Sequence, residues 1–393
     1  MNRVALVDGN RPLFITNENG TQKVQVIEVV GRGGTAIAYK GKRIENGEEK
    51  EACIVKEYFP IEENTKAIYF RNKIGDDIQI LSENREEELQ KQRTNIEREV
   101  RTTNELYFDK ESMENSPYAY SAEIFCRKGD STYVVLDTSK GKTLKAHLLS
   151  LETQRLELAD AILYIEKLLV ILEHLLRGCF VHLDIKPENI WLRGEDANES
   201  MCLLDFGSVC ALKDYQTNLL ELTRDEVLEK AKKIIDNEGL GSNSIGYCSY
   251  IVRELGEAKR RFFSNGSYKN AKVLLEAMNQ ISVSDDIYST LQLLFFATVG
   301  CNFTGAGDID IAYIQKQTGE NEMIAQYIYS MMIRNEERGY HHISDIREEL
   351  GVLKCLLQKE AHPLVLMQNV AERQRREGYL QVSEEILGDI NIV

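Results

Sequence analysis

His182-Leu183-Asp184-Ile185-Lys186-Pro187-Glu188-Asn189, followed by Leu203-Leu204-Asp205-Phe206-Gly207, is the stretch whose reading decides the fold. Moving a phosphoryl group from a nucleotide to a hydroxyl requires an acceptor for the hydroxyl's proton and oxygen-bearing holders for Mg²⁺. Asp184, Asn189 and Asp205 offer these three in chain order, with the two aspartates 21 positions apart.

Taken together, the two motifs resemble the catalytic loop and the metal-binding Asp-Phe-Gly of the protein kinase family. Asp-x-Lys-Pro-x-Asn is the serine/threonine form of that loop, and Lys56-Glu57-Tyr58-Phe59-Pro60 is similar to a run in short soluble bacterial members of the family. The resemblance implies an α+β bilobal fold, with a small β-rich N-lobe and a larger helical C-lobe. It implies a serine/threonine protein kinase that uses ATP and Mg²⁺. In that reading Asp184 accepts the proton, Lys186 neutralises charge on the transferred phosphate, and Asn189 and Asp205 hold the metal.

Upstream, residues 13 to 57 alternate apolar and polar positions between Asn19-Gly20 and Asn46-Gly47, a strong signal for β-hairpins. Strands are predicted near 24–30, 36–44 and 51–57. Gly31-Arg32-Gly33-Gly34-Thr35-Ala36 lies between the first two and resembles the kinase glycine-rich loop. Bare backbone at Gly31, Gly33 and Gly34 would let N–H groups approach a triphosphate. The same resemblance places Ala38 against the nucleotide and makes Lys56 the phosphate anchor. Lys56 ends a strand whose β-branched neighbours bury it, so its charge must face a site or lose hydration. Its expected partner is Glu99, beside the apolar face Leu89, Ile96, Val100 and Leu106 of a long helix. Glu97 lies roughly 200° away on that wheel and faces solvent. Residues 60–82 read as an inserted loop or short hairpin.

Two further strands are predicted near 120–127 and 132–137. The second runs into Asp137-Thr138-Ser139-Lys140-Gly141, which resembles the segment joining kinase lobes. The resemblance makes Leu136, Asp137 and Ser139 neighbours of the base, with Leu136 guarding the deeper pocket. Trp191, the single tryptophan, is expected to floor that pocket with its aromatic face.

Downstream lie the departures from the family. Leu183 stands where an arginine usually precedes the catalytic aspartate and pairs with a phosphate on the activation segment; the enzyme is therefore expected not to depend on phosphorylation there. A stripe of Leu219, Leu220, Val227, Leu228, Ala231, Ile234 and Ile235 predicts an inserted helix, packed on its own lobe or docking a partner through 219–236. Ser244-Ile245-Gly246-Tyr247 resembles the loop that receives the substrate peptide. The Pro-Glu that follows in the family is missing, with Glu254 as its expected substitute. Asp286, opening an apolar run, should accept N–H groups from the catalytic loop, and Arg338 resembles the family's last arginine.

With 48 basic and 63 acidic residues in 393, the net charge of −15 opposes binding to nucleic acid or to an anionic membrane. Eight scattered cysteines without a C-x-x-C pair suggest reduced thiols. The longest apolar segment is broken by charges, so a cytoplasmic protein is expected. The domains read as an N-lobe over 1–137, a C-lobe over 138–356, and a helical extension of unassigned role over 357–393. The two other readings are a pseudokinase or nucleotide-binding scaffold and a small-molecule phosphotransferase. The protein substrate cannot be read from the sequence.

Overall fold

The computed structural model describes residues 4–7, 13–17, 19–60, 67–109, 114–115, 120–126, 131–138, 141–194, 200–212, 218–238, 246–305 and 307–358. Two structural regimes meet near residue 138. The N-terminal part comprises β1 (Leu13–Asn17), β2 (Lys23–Arg32), β3 (Ala36–Glu45), β4 (Glu48–Tyr58), β5 (Ile68–Phe70), β6 (Gln79–Leu81), α1 (Arg85–Tyr107), β7 (Phe108–Asp109), β8 (Glu114–Asn115), β9 (Ala122–Cys126) and β10 (Thr132–Leu136). Strands β1-β2-β3-β4-β10-β9 close into an antiparallel barrel.

Hairpin chemistry sets this register. Asn46 and Gly47 both take left-handed φ, 52° and 83°, the conformation a two-residue turn between right-twisted strands demands. Glu45 consequently pairs with Glu48. Alternation then sorts the side chains: Val24, Val26, Ile37, Tyr39, Val55 and Val135 fill the barrel. The opposite parity of β4 and β10, Ile54, Val134 and Leu136, packs with Ile96 and Val100 of α1. That contact fixes α1 against β4, on the face that also carries Lys56.

The C-terminal part is mostly helical. It contains β11 (Gly141–Thr143), α2 (Leu144–Ser150), α3 (Leu158–Arg177), β12 (Phe180–Val181), β13 (Ile190–Arg193), β14 (Ser200–Leu203), β15 (Cys210–Ala211), α4 (Arg224–Glu238), α5 (Tyr250–Ser264), α6 (Tyr268–Met278), α7 (Val283–Val299), α8 (Ile311–Thr318), α9 (Glu322–Glu336) and α10 (Ile343–Gln358). Helix α7 is buried along nearly its whole length, begins in a capping box formed by Ser282 and Asp285, and stops at Gly300 with φ 89°. Helix α3 ends at Arg177, where Gly178 caps it and Cys179 turns to φ 60° ahead of β12.

The 60–82 insertion contains the β5–β6 hairpin, with residues 61–66 outside the described part. The predicted 219–236 helix divides into a 3₁₀ turn at Leu219–Glu221 and α4. Leu220 leaves the stripe, being 95 % exposed, while Val227, Ala231 and Ile234 at i, i+4 and i+7 are buried. Of the expected 357–393 extension, 357 and 358 close α10 and 359–393 lie outside the described residues. Among the described residues no helix is long and apolar enough to cross a membrane. All eight cysteines are free thiols.

Candidate active site

The catalytic-loop stretch is set between β12 and β13, and its geometry starts from α7. Asp286, in the first turn of that helix, accepts the backbone N–H of His182 at 2.7 Å and of Leu183 at 2.8 Å. These bonds hold Leu183 at φ 63°, a conformation that costs a non-glycine residue about 1 kcal/mol. Burial pushes the Asp286 carboxyl up to about 7, against the two N–H donors and with Asp285 adding to the rise. His182 is fully buried, and burial holds its pKa below the usual histidine value. Its Nδ1 lies 3.3 Å from the Asp184 N–H and its Nε2 3.2 Å from the Leu204 carbonyl, the pairing of a neutral ring protonated at Nε2.

Asp184 receives two partners on Oδ2: Lys186 Nζ at 2.6 Å and Asn189 Nδ2 at 2.9 Å. Asn189 Nδ2 also donates to the Asp184 carbonyl at 2.8 Å. With its amide nitrogen engaged this way, Asn189 has its carbonyl oxygen left over as a ligand.

Across the cleft, Lys56 Nζ lies 2.6 Å from Glu99 Oε1 and 2.6 Å from Asp205 Oδ1. The expected Lys56–Glu99 pair is therefore formed, and Glu97 is exposed and pairs with Arg93 at 2.9 Å. Burial works to lower the lysine's pKa, but the two carboxylates outweigh it and raise it. For Asp205 burial works upward and Lys56 overrides it, holding the carboxyl down at about 2. Since 34 % of the Asp205 side chain is exposed, solvent screens part of this attraction. Asp205 itself sits at φ 61°, so two strained residues flank the same cleft. Phe206 is buried and meets His182 edge to face at 5.4 Å, which aims Asp205 at the cleft. Arg98 of α1 donates to the Gly207 carbonyl at 3.1 Å.

The donor set left over, Asn189 Oδ1 and the second Asp205 oxygen, is all oxygen. That suits Mg²⁺, which is held by one or two protein oxygens and completes its shell with water and phosphate. No group of three or more His, Cys, Asp or Glu suited to a metal occurs among the described residues. Gly31 lies at the end of β2 and Gly33 in the β2–β3 turn; an added Cβ would meet nothing at Gly31 and only the Ala36 carbonyl, at 3.7 Å, at Gly33. Neither takes left-handed φ. No described residue demands glycine at either position, so the bare backbone there is open to a closely approaching group. Ala38 pairs with Gly31 on one side and Lys56 on the other.

Leu136 is buried and pairs with Ile54. The Asp137 carboxylate is committed to Arg43 at 2.5 Å and Ser121 at 2.9 Å, leaving only backbone for a base. Ser139 lies outside the described residues, as do Ser244 and Ile245. Trp191 is 7 % exposed and clusters with Tyr120 and Cys202, against which Ile54 and Leu204 pack. Its Nε1 is buried without a partner among the described residues. Gly141 makes room for it: a Cβ there would stand 2.7 Å from Nε1 and 2.2 Å from the Leu192 carbonyl. Sequence reasoning missed Ile54 and Tyr120; Ile54 was legible, two residues before Lys56 and hence on the same strand face. Glu254 is exposed, whereas Arg338 pairs at 3.1 Å with Asp285, which also accepts from Ser249 at 2.5 Å. Glu254 therefore does not substitute for the missing glutamate.

Compared with known families, residues 24–230 match the protein kinase domain model. No curated protein matches the chain. Among solved structures, a double mutant of the Mycobacterium tuberculosis PknI kinase domain aligns at 11 % identity and a TM-score of 0.48, covering 89 % of this chain and all of that one. A single mutant of the same domain aligns at 12 % identity and a TM-score of 0.43, covering 90 % and 100 %.

Proposed function

This chain belongs to the protein kinase family and has its bilobal α+β fold, and from that premise we propose that it is a serine/threonine kinase acting on protein hydroxyls with Mg-ATP. The observation that carries the reading is the convergence, in one cleft, of Asp184, Asn189 and Asp205 with the Lys56–Glu99 pair formed. Asn189 and Asp205 would hold Mg²⁺, which when bound neutralises charge on the phosphates. Lys56, fixed by Glu99, anchors phosphate oxygens. Asp184 orients the incoming hydroxyl and takes its proton onto the carboxylate. Lys186, 2.6 Å from that carboxylate, places positive charge where negative charge accumulates in transfer. Gly31, Gly33 and Gly34 offer backbone N–H groups to the triphosphate, while Leu136, Asp137, Ser139 and Trp191 surround the base. The Asp-x-Lys-Pro-x-Asn form of the loop supports the serine/threonine assignment, and Leu183 supports independence from activation-segment phosphorylation. A cytoplasmic location is part of the same reading.

Radiolabel transfer from ATP to a generic basic protein tests it. Asp184→Asn and Lys56→Met should each lower turnover by about a hundred- to ten-thousand-fold, the usual worth of a positioned catalytic group. Turnover equal to wild type in Asp184→Asn would refute the assignment. Two departures from the family's pattern favour a scaffold instead: Leu183 before the catalytic aspartate and the missing Pro-Glu. Absence of transfer by the wild type, with nucleotide still bound, would establish that second reading.

A further inference from the structure

Leu183 replaces a cation, yet it is not idle. It is 8 % exposed and belongs, with Val181 and Cys210, to an apolar core whose other side includes Val227, Ala231 and Ile234 of α4. Its backbone N–H is held by Asp286 at 2.8 Å, so the residue before Asp184 is fixed twice, by its main chain through α7 and by its side chain through α4. The inserted helix reaches further. It packs on α6, with Arg224 over the Tyr268 ring at 5.6 Å, and it also packs on α1, the helix that carries Glu99. One element of the activation segment therefore touches both halves of the machinery, the helix that presents Glu99 and the core that seats the catalytic loop.

We propose that α4 is an internal clamp and that Leu183, Val227 and Ala231 are positioning residues. Through the shared core they hold Asp184 in line, and through α1 they keep Glu99 on Lys56. Apolar burial thus supplies the alignment that a charged group on the segment would otherwise supply. The idea rests on the kinase reading for its catalytic readout, but its structural readout is independent of it. A carboxylate at Val227 cannot enter an apolar core without unseating the helix. A misplacement of about 1 Å at a reacting group costs roughly a hundredfold in rate.

The test uses the full chain and five variants, followed by turnover on ATP, by amide exchange over residues 181–185 and 96–101, and by thermal melting. Val227→Asp should lower kcat by about a hundredfold, more than it raises KM for ATP, and should speed exchange in both segments while the chain stays folded. Should it fail to fold, Val227→Ala takes its place, with the same pattern in smaller measure. Leu183→Met should retain wild-type kcat, whereas Leu183→Arg should behave as Val227→Asp does. Lys232→Ala, on the exposed side of α4, and phosphatase treatment of the wild type should change nothing. Wild-type exchange in both segments of folded Val227→Asp or Val227→Ala overturns the clamp, as does an equal loss in Lys232→Ala. If the wild type transfers no phosphoryl group, the functional reading fails while exchange still decides the clamp.

Discussion

At the scale of the residue, the site depends on side chains whose ordinary preferences are overridden. Leu183 and Asp205 hold left-handed φ without being glycine, and both lie next to groups that would touch substrate. Trp191 carries a different cost, a buried indole N–H with no acceptor among the described residues, worth roughly 1–3 kcal/mol in desolvation. A ligand entering between Ile54 and Trp191 changes the surroundings of the only tryptophan in the chain. Saturating ATP should therefore shift or quench intrinsic fluorescence. An unchanged emission spectrum, with binding verified separately, would show that the ring packs away from the nucleotide. Its position two residues past Asn189 led to the expectation that Trp191 floors the base pocket, and the structure shows the ring buried against Tyr120 and Cys202. That its N–H lacks an acceptor among the described residues had no local signature, because it depends on β11 pairing with β13, which sets Gly141 against the indole.

At the scale of the element, what the sequence disclosed was whatever local chemistry dictates. The Asn46-Gly47 turn, the β2–β3 hairpin and the α1 face carrying Glu99 follow from turn propensity and periodicity, and all are present. Leu220 misled because an apolar residue at helical spacing looks the same whether or not a helix reaches it; the 3₁₀ turn ends before α4 starts. Arg338 chose Asp285 because the capping box of α7 places that carboxylate within reach, a tertiary fact with no local signature. Asp286 joins α7 to the catalytic loop, and its raised pKa gives a pH dependence of known sign. A carboxyl whose folded pKa stands near 7, above the ordinary value near 4, contributes stability that is complete below about pH 4 and fades as pH rises toward 7. Asp286→Asn removes that titration and leaves one catalytic-loop N–H without an acceptor. Urea unfolding across pH 4.5 to 7.5 should find the variant weaker throughout, with the gap narrowing by up to about 1.4 kcal/mol per pH unit. Parallel stability curves would contradict this.

At the scale of the whole molecule, the barrel does more than carry the glycine-rich turn. Glu57 is fully buried and accepts from Tyr39 at 2.7 Å and from the equally buried Arg71, which also donates to the carbonyls of Val4 at 2.8 Å and Asp76 at 2.7 Å. The 60–82 insertion is thus fastened to the barrel and to the N-terminal segment through one buried ion pair. Removing a single partner strands the other charge, at a cost of about 3–5 kcal/mol. Arg71→Met should lower unfolding stability by that order, whereas the double replacement Glu57→Gln with Arg71→Met should recover part of it. A single variant as stable as wild type would show that the pair is dispensable.

The proposed function rests on two lobes that could offer oxygens and a lysine to one magnesium-bound nucleotide, and calorimetric titration with ATP tests that most directly. Uptake of one nucleotide per chain is expected in the presence of Mg²⁺, with affinity reduced by chelating the metal and in Asp205→Ala. Absence of binding heat at several temperatures, or binding indifferent both to Mg²⁺ and to Asp205, would contradict the account.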